Sequence, residues 1–185
     1  MKQREIYIAT PSISGDLWAG YHKSIIATLM LLTQKGYQVN HDLMNGCSLI
    51  PLARNLMLQS FRESNADTML FIDADLSWPA DAALRLIESP HDVIAGSYPV
   101  KDDNTRFPSN WAKGSTKLLK SYGLQGGFLK ISRRSVERMV MEFPQLECVY
   151  DGKKMVALFD TMIVRGKIDE SDPFPEGQYL GEDCA

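Results

Sequence analysis

Five consecutive residues, Thr68 to Ile72 (TMLFI), constrain this chain more than any other feature. A strand with one wet face alternates apolar and polar residues. An unbroken apolar run of this length therefore reads as a central strand covered on both faces. Such strands sit in parallel sheets with helices on either side, and this one ends abruptly in Asp73-Ala74-Asp75. The flanking segments fit the same architecture. Glu5 to Ala9 is a first buried strand, followed by a turn at Thr10-Pro11-Ser12. Leu17 to Lys35 is a helix, with Leu17, Tyr21, Ile25, Leu29 and Leu32 on its apolar stripe and Gly36 closing it. Tyr37 to Leu43 is a second strand and Asn45-Gly46 a turn. Ser48 to Glu63 is a second helix that carries Pro51 in its first turn. Trp78-Pro79-Ala80-Asp81 opens a third helix, reaching about Glu88. Asp92 to Ala95 is a fourth strand, ending at Gly96-Ser97-Tyr98-Pro99.

The second half is less regular. Lys101 to Ser115 is polar and reads as a loop, and Leu118 to Leu124 as a strand. Gly126-Gly127 is a tight backbone point before the apolar Phe128 to Ile131. Ser132 to Ser135 leads into a helix ending near Glu142. Cys148 to Tyr150 and Met155 to Phe159 form a hairpin about Asp151-Gly152. Ile163 to Gln178 is a long polar loop with two prolines. Strands alternating with helices predict an α/β fold with a mainly parallel central sheet flanked by helices. Ligands of such sheets bind beyond the carboxyl ends of the strands, where Thr10-Pro11, Asp73-Ala74-Asp75 and Gly96-Ser97-Tyr98 all fall.

Composition narrows the function. With 185 residues and 44% hydrophobic content, one domain spanning 1–185 is the natural expectation. A formal net charge of −3 argues against a basic nucleic-acid-binding surface. Three widely spaced cysteines, Cys47, Cys148 and Cys184, form no CxxC pair, and His22, His41 and His91 form no metal-binding pattern. The N-terminus reads as lacking a signal peptide, and the longest apolar helical stretch, Ile25 to Leu32, is too short to span a bilayer. A cytoplasmic protein is expected.

Asp73 and Asp75 are the strongest chemical signal. Two carboxylates one residue apart repel each other at a strand end unless something neutralises them. A hard divalent cation, Mg²⁺ or Mn²⁺, accepts oxygen ligands and shares itself with substrate phosphates. The bland alternative is one helix-capping Asp and one solvated Asp. Arg54, beside Asn55 in an apolar helical run, could serve a phosphate, a base edge or the Asp pair itself. Thr10-Pro11-Ser12 offers hydroxyl and backbone groups to a nucleoside, or is an ordinary turn. Tyr98 and Lys101 follow the fourth strand, and Lys101 could meet a diphosphate or remain solvated. Trp78 reads as packing at a helix entry, whereas Trp111, in the polar loop, is the better candidate for a ligand or acceptor contact. Gly126-Gly127-Phe128 permits close backbone approach to a ligand. P-loop, GxGxxG and GxSxG patterns are all missing from the sequence.

The ordered set Ile8-Ala9-Thr10-Pro11, Ala53-Arg54-Asn55, Leu70-Phe71-Ile72-Asp73-Ala74-Asp75, Val93-Ile94-Ala95-Gly96-Ser97-Tyr98, Gly126-Gly127-Phe128 and Gly181-Glu182-Asp183 resembles the GT-A fold nucleotide-sugar glycosyltransferases, near the family 2-like group. The resemblance runs over nearly the whole chain. It implies a nucleotide-binding half (1–100) and a donor-sugar and acceptor half (101–185). The first strand-end loop and the Arg54 helix would hold the nucleoside, most often uridine. Asp75 would bind Mn²⁺ or Mg²⁺ directly, while Asp73 would reach the ribose or the metal's waters. Gly126 and Gly127 would line the sugar pocket. Asp183, with Glu182 second, would be the base that deprotonates a glycan or other hydroxyl acceptor. Family members continue past this acidic motif, whereas here Cys184-Ala185 follow, so the chain reads as a short or truncated member. Two other readings stand beside transfer from a UDP-sugar. One is a nucleotidyltransferase making a nucleotide-sugar, against which Thr10 to Gly15 carries no cation. The other is a non-catalytic remnant that binds nucleotide or glycan.

Overall fold

The computed structural model describes residues 4–99, 121, 123–163 and 178–180. Its centre is a five-stranded sheet built from β1 (Glu5–Ser12), β2 (Gln38–Asn45), β3 (Thr68–Ile72), β4 (Val93–Ala95) and β5 (Phe128–Ser132), in the order β2-β1-β3-β5-β4. β1 runs parallel to β2 and β3, with Ile8 opposite His41 and Leu70. β5 is antiparallel to both neighbours, with Lys130 opposite Leu70 and Ile94. β4 therefore points the same way as β3, and the sheet is mainly parallel, as expected. A reversed strand between β3 and β4 was not anticipated, because periodicity carries no strand direction.

Four helices cover the two faces: α1 (Ala19–Gln34), α2 (Ile50–Glu63), α3 (Ala80–Glu88) and α4 (Arg133–Glu142). Alternate residues of each strand divide between two cores. Ile6, Ile8, Leu70, Ile72 and Phe128 pack with Tyr21, Ile25 and Leu32 of α1 and with Ala83, Leu86 and Ile87 of α3. Tyr7, Ala9, Met69, Phe71, Leu129 and Ile131 pack with Met57, Leu58 and Phe61 of α2 and with Val136 of α4. β3 is buried along its whole length. Each of its large apolar side chains contributes roughly 1.5–3 kcal/mol on burial, which anchors the end of this strand firmly.

Several boundaries shift for clear reasons. Thr10-Pro11-Ser12, expected as a turn, continues β1, with Pro11 opposite Met44 and Ser12 opposite Asn45. Pairing with β3 stops at Ala9, so Pro11 lacks its N–H where only one neighbouring strand remains. Gly36 and Gly46 close α1 and β2 at φ of 83° and 80°. α2 starts at Ile50 with its proline in the first turn, and Ser132 caps α4 by accepting from Ser135 N. The hairpin forms from β6 (Glu147–Tyr150) and β7 (Lys153–Val156), turning at Asp151 and Gly152, both with positive φ. Its second strand lies earlier than expected: Lys153 and Lys154 belong to β7, whereas Ala157 to Phe159 fall outside it. A last short pair joins β8 (Met162–Ile163) and β9 (Tyr179–Leu180). Of the segment 118–124, expected as a strand, residues 121, 123 and 124 are described, and they contribute only an isolated bridge at Ser121.

Candidate functional site

The chain leaves β1 for β2 on one side and reaches β3 on the other. This reversal marks the place outside the carboxyl ends of β1 and β3 where open α/β sheets usually bind ligands. Asp73 and Asp75 lie directly beyond β3, at that carboxyl rim. Because β5 is antiparallel, the residues that precede it, Gly126 and Gly127, arrive at the same rim as the carboxyl ends of the other strands. Gly96-Ser97-Tyr98, beyond β4, completes the group.

Asp73 is fixed from two directions. Its N–H donates to the Gly127 carbonyl at 2.9 Å. Its Oδ1 accepts from Nη2 of Arg54 at 3.1 Å, while Nη1 of Arg54 donates to the Gly126 carbonyl at 2.7 Å. Arg54 is 2% exposed and its guanidinium lies 5.4 Å from the centre of the Phe71 ring. Arg54 thus meets Asp73, one of the partners foreseen for it. Breaking a buried ion pair from one side costs about 3–5 kcal/mol, so this contact is a structural commitment of the rim. The Asp73 side chain keeps 31% of its exposure.

Gly127 explains its own identity. A Cβ there would stand 2.3 Å from Oδ2 of Asp73 and 2.3 Å from the Tyr98 hydroxyl. No side chain fits without moving one of them. The Gly127 N–H donates to the Tyr98 hydroxyl at 3.1 Å. Tyr98 is held in turn by Gln125, whose Oε1 accepts from Tyr98 N at 3.1 Å and whose Nε2 donates to Tyr98 O at 3.0 Å. Gly96 is equally constrained, since its Cβ would fall 2.3 Å from the Phe128 ring. The Gly126-Gly127 turn, Tyr98 and Asp73 thus form one interlocked wall.

On the β1 side the loop from Ile13 to Trp18 bridges β2 and the Asp73–Asp75 turn. Gly46 N donates to Ile13 O at 3.1 Å, and Trp18 N donates to Ala74 O at 3.1 Å. Thr10 and Pro11 lie buried beneath this loop. The Thr10 hydroxyl is 2.5 Å from that of Tyr21, which is 3.0 Å from Nε2 of His41. Burial pushes the Tyr21 phenol up to about 12 and pulls the His41 imidazole below its ordinary value. Trp78 packs at the helix entry, its backbone N–H bonded to Oγ of Ser24 and its indole N–H to Thr28. Asn55, neighbour of Arg54, exchanges two hydrogen bonds with the Phe159 backbone at 2.7 and 2.9 Å.

Asp73, Ala74, Asp75, Tyr98, Gly126 and Gly127 therefore share one rim. Arg54 supports it from below, and Thr10 and Pro11 lie inside the fold. Lys101, Trp111, Glu182 and Asp183 lie outside the described residues. Sequence reading missed Gln125 and Trp18. Gln125 carries no local signal, and the exposure of Trp18 is visible only in the structure. Among the described residues, no group of three or more His, Cys, Asp and Glu side chains is placed to hold a metal. The donor set fits a hard cation that arrives with phosphate oxygens, not a cage made by protein alone. Among the described residues no helix is long and apolar enough to cross a membrane.

Comparison with known proteins adds little. No protein-family profile matches the chain, and no curated protein sequence matches it. Among solved structures the chain is similar to a 4-diphosphocytidyl-2C-methyl-D-erythritol synthase from Anaerococcus prevotii. The TM-score is 0.43 and the identity 10%, over 80% of this chain and 80% of that one.

Proposed function

We propose that this chain is a transferase that binds a nucleotide-linked sugar at the carboxyl rim, and that it moves the sugar to a hydroxyl acceptor. One observation carries the reading: two carboxylates follow the most buried strand of the sheet, and Arg54 and Gly127 hold the first of them in a fixed pose. A diphosphate approaching Asp73 and Asp75 meets like charge. Among the described residues of the rim, the Arg54 guanidinium is already engaged with protein. In this reading a divalent cation neutralises them. Mn²⁺ or Mg²⁺ would be held by Asp75, with Asp73 contacting the ion, its waters or the ribose, and it would stabilise charge on the departing diphosphate. The turn at Gly126-Gly127 brings backbone close enough to face the sugar. A uridine donor, the base role of Asp183 or Glu182 and the phosphate role of Lys101 belong to the same proposal.

A second reading is nucleotidyl transfer that makes a nucleotide-sugar. The name of the solved synthase above, built on a diphosphocytidyl product, sits closer to it than to sugar transfer, although a likeness at that score has no weight of its own. Against it stands the stretch from the end of β1 into the following loop, Thr10 to Gly15, which carries no cation for a triphosphate.

Calorimetric titration with UDP, in Mn²⁺ and then in EDTA, tests the shared premise. Metal-dependent binding that Asp75→Ala abolishes is expected. No binding of UDP, GDP or any other nucleotide would overturn it. Product analysis then separates the readings. Release of UDP from a UDP-sugar and an acceptor supports sugar transfer. Release of diphosphate from a nucleoside triphosphate and a sugar phosphate supports the second reading. Binding with neither product means a binding module.

A further inference from the structure

A cavity of about 390 Å³ lies between α2 and the β6–β7 hairpin, within the roughly 300–1,000 Å³ of small-molecule sites. On α2 it is lined by Gln59 and Arg62. Arg62 follows Arg54 by eight residues, roughly 12 Å along the helix, so the cavity stands apart from the Asp73–Asp75 rim. Met155 and Val156 line it as buried apolar surface, at 5% and 3% exposure, and the exposed free thiol of Cys148 lines it as well. Its charged lining is Arg62, Lys154 and Glu147.

The cations of this lining are poorly matched by the protein. Nη1 of Arg62 donates to Oε1 of Gln59 at 3.3 Å and Nη2 to Oε2 of Glu137 at 3.5 Å, while Nε is buried without a partner. Charge-assisted hydrogen bonds are normally about 2.7–2.9 Å long, so these contacts are weak. Arg133, which closes α2, shows the alternative, with two bonds of 2.7 Å to backbone carbonyls. Glu137 does not neutralise Arg62 alone, because it also lies 3.7 Å from Arg133. Lys154 is exposed and makes no ion pair among the described residues. Arg62, Arg133 and Lys154 thus stand against Glu137 and Glu147, and one positive charge is left over beside buried apolar surface.

We infer that this cavity binds a small organic acid, with its carboxylate held by Arg62 and Lys154 and its apolar body against Met155 and Val156. The planar guanidinium fork matches a carboxylate, and an incoming anion replaces weak contacts with charge-assisted ones. A single carboxylate balances the single surplus charge. The site is separate from the proposed transfer chemistry and adds a second ligand to the molecule.

The test follows alkylation of Cys148 by iodoacetamide, read by mass spectrometry, with Cys47 as the internal control. The probes are 3-phenylpropionate, its neutral amide and acetate. The acid should slow alkylation of Cys148 severalfold and leave Cys47 unchanged, and the amide and acetate should each bind at least about tenfold more weakly. Lys154→Gln and Arg62→Gln should each weaken the acid about three- to thirtyfold without altering the amide. Lys154 is exposed, so its variant decides the matter if Arg62→Gln does not fold. Asp75→Ala, at the rim, should leave the protection intact. No protection by the acid, equal protection by acid and amide, or unchanged acid affinity in Lys154→Gln would overturn the inference. Acetate as effective as the acid would overturn it too, because the apolar lining would then contribute nothing. Loss of protection in Asp75→Ala would place the acid at the rim and remove the second site.

Discussion

The two rims of the sheet use their cations differently. Helices that return from parallel strands end at the amino rim, leaving carbonyls that need donors. There, Arg133 donates to the carbonyls of Phe61, Arg62, Ser64 and Ala66, closing α2. Lys130, 4% exposed, donates to the carbonyls of Ser89 and His91 beyond α3. Positive charge at helix C-termini is favourable, and these residues are explained once the helices are closed. At the carboxyl rim Arg54 holds a carboxylate and a turn carbonyl that no helix requires. The amino rim is finished by its own contacts, whereas the carboxyl rim has been stiffened around a pair of acids. That contrast supports placing the proposed site at the carboxyl rim.

The contrast can be broken most directly by removing each cation. Arg54→Met leaves the Asp73 carboxylate and the Gly126 carbonyl without their partner, and a loss of about 3 kcal/mol in urea unfolding is expected, together with loss of metal-dependent UDP binding. Arg133→Met should cost about 2 kcal/mol by the same measurement and leave UDP affinity within about twofold of wild type. Loss of binding in both variants at matched stability would erase the distinction between the rims.

Gly127→Ala probes the wall itself. Its Cβ must displace the Asp73 carboxylate or the Tyr98 hydroxyl, so a destabilisation of about 1–3 kcal/mol is expected, with UDP binding weakened at least about tenfold. Binding at wild-type strength would show that the pose of Asp73 does not matter to the ligand.

The smallest effect concerns the buried chain Thr10–Tyr21–His41 beneath the loop. Burial lowers the His41 pKa, so the folded state binds its proton less readily than the unfolded state, whose pKa lies near 6.5. The stability this group contributes is complete above pH 6.5 and declines as the pH falls through the lowered value. Unfolding measured between pH 7 and 5 should show stability falling with acidity, and His41→Gln should flatten that slope. An unchanged slope would place the titrating group elsewhere.

Much of the frame is local and was legible. The run Thr68 to Ile72 could only be a doubly covered strand, and it ends where the apolar run ends. Helix stripes, Gly36 and Gly46 as stops, and the hairpin at Asp151-Gly152 all follow from short-range rules. Thr10-Pro11 misled because a proline signals a turn in sequence, whereas here it extends a strand that has lost one neighbour. The direction of β5 and the exposure of Trp18 had no local signature, whereas the apolar run around Arg54 already aimed that residue into a crowded place.

What the sequence determined by itself is the set of elements, the layered α/β class and the placement of two carboxylates at the end of the central strand. These depend on the periodicity of apolar residues, which each segment carries alone. Only the tertiary structure decided what those carboxylates meet. Arg54 finds Gly126 across 72 residues, and Asn55 finds Phe159 across 104. The partner of a buried polar group is chosen by whichever segment the fold brings beside it, because an unsatisfied charge is too costly to leave there. That choice is made in three dimensions, and no spacing along the chain encodes it.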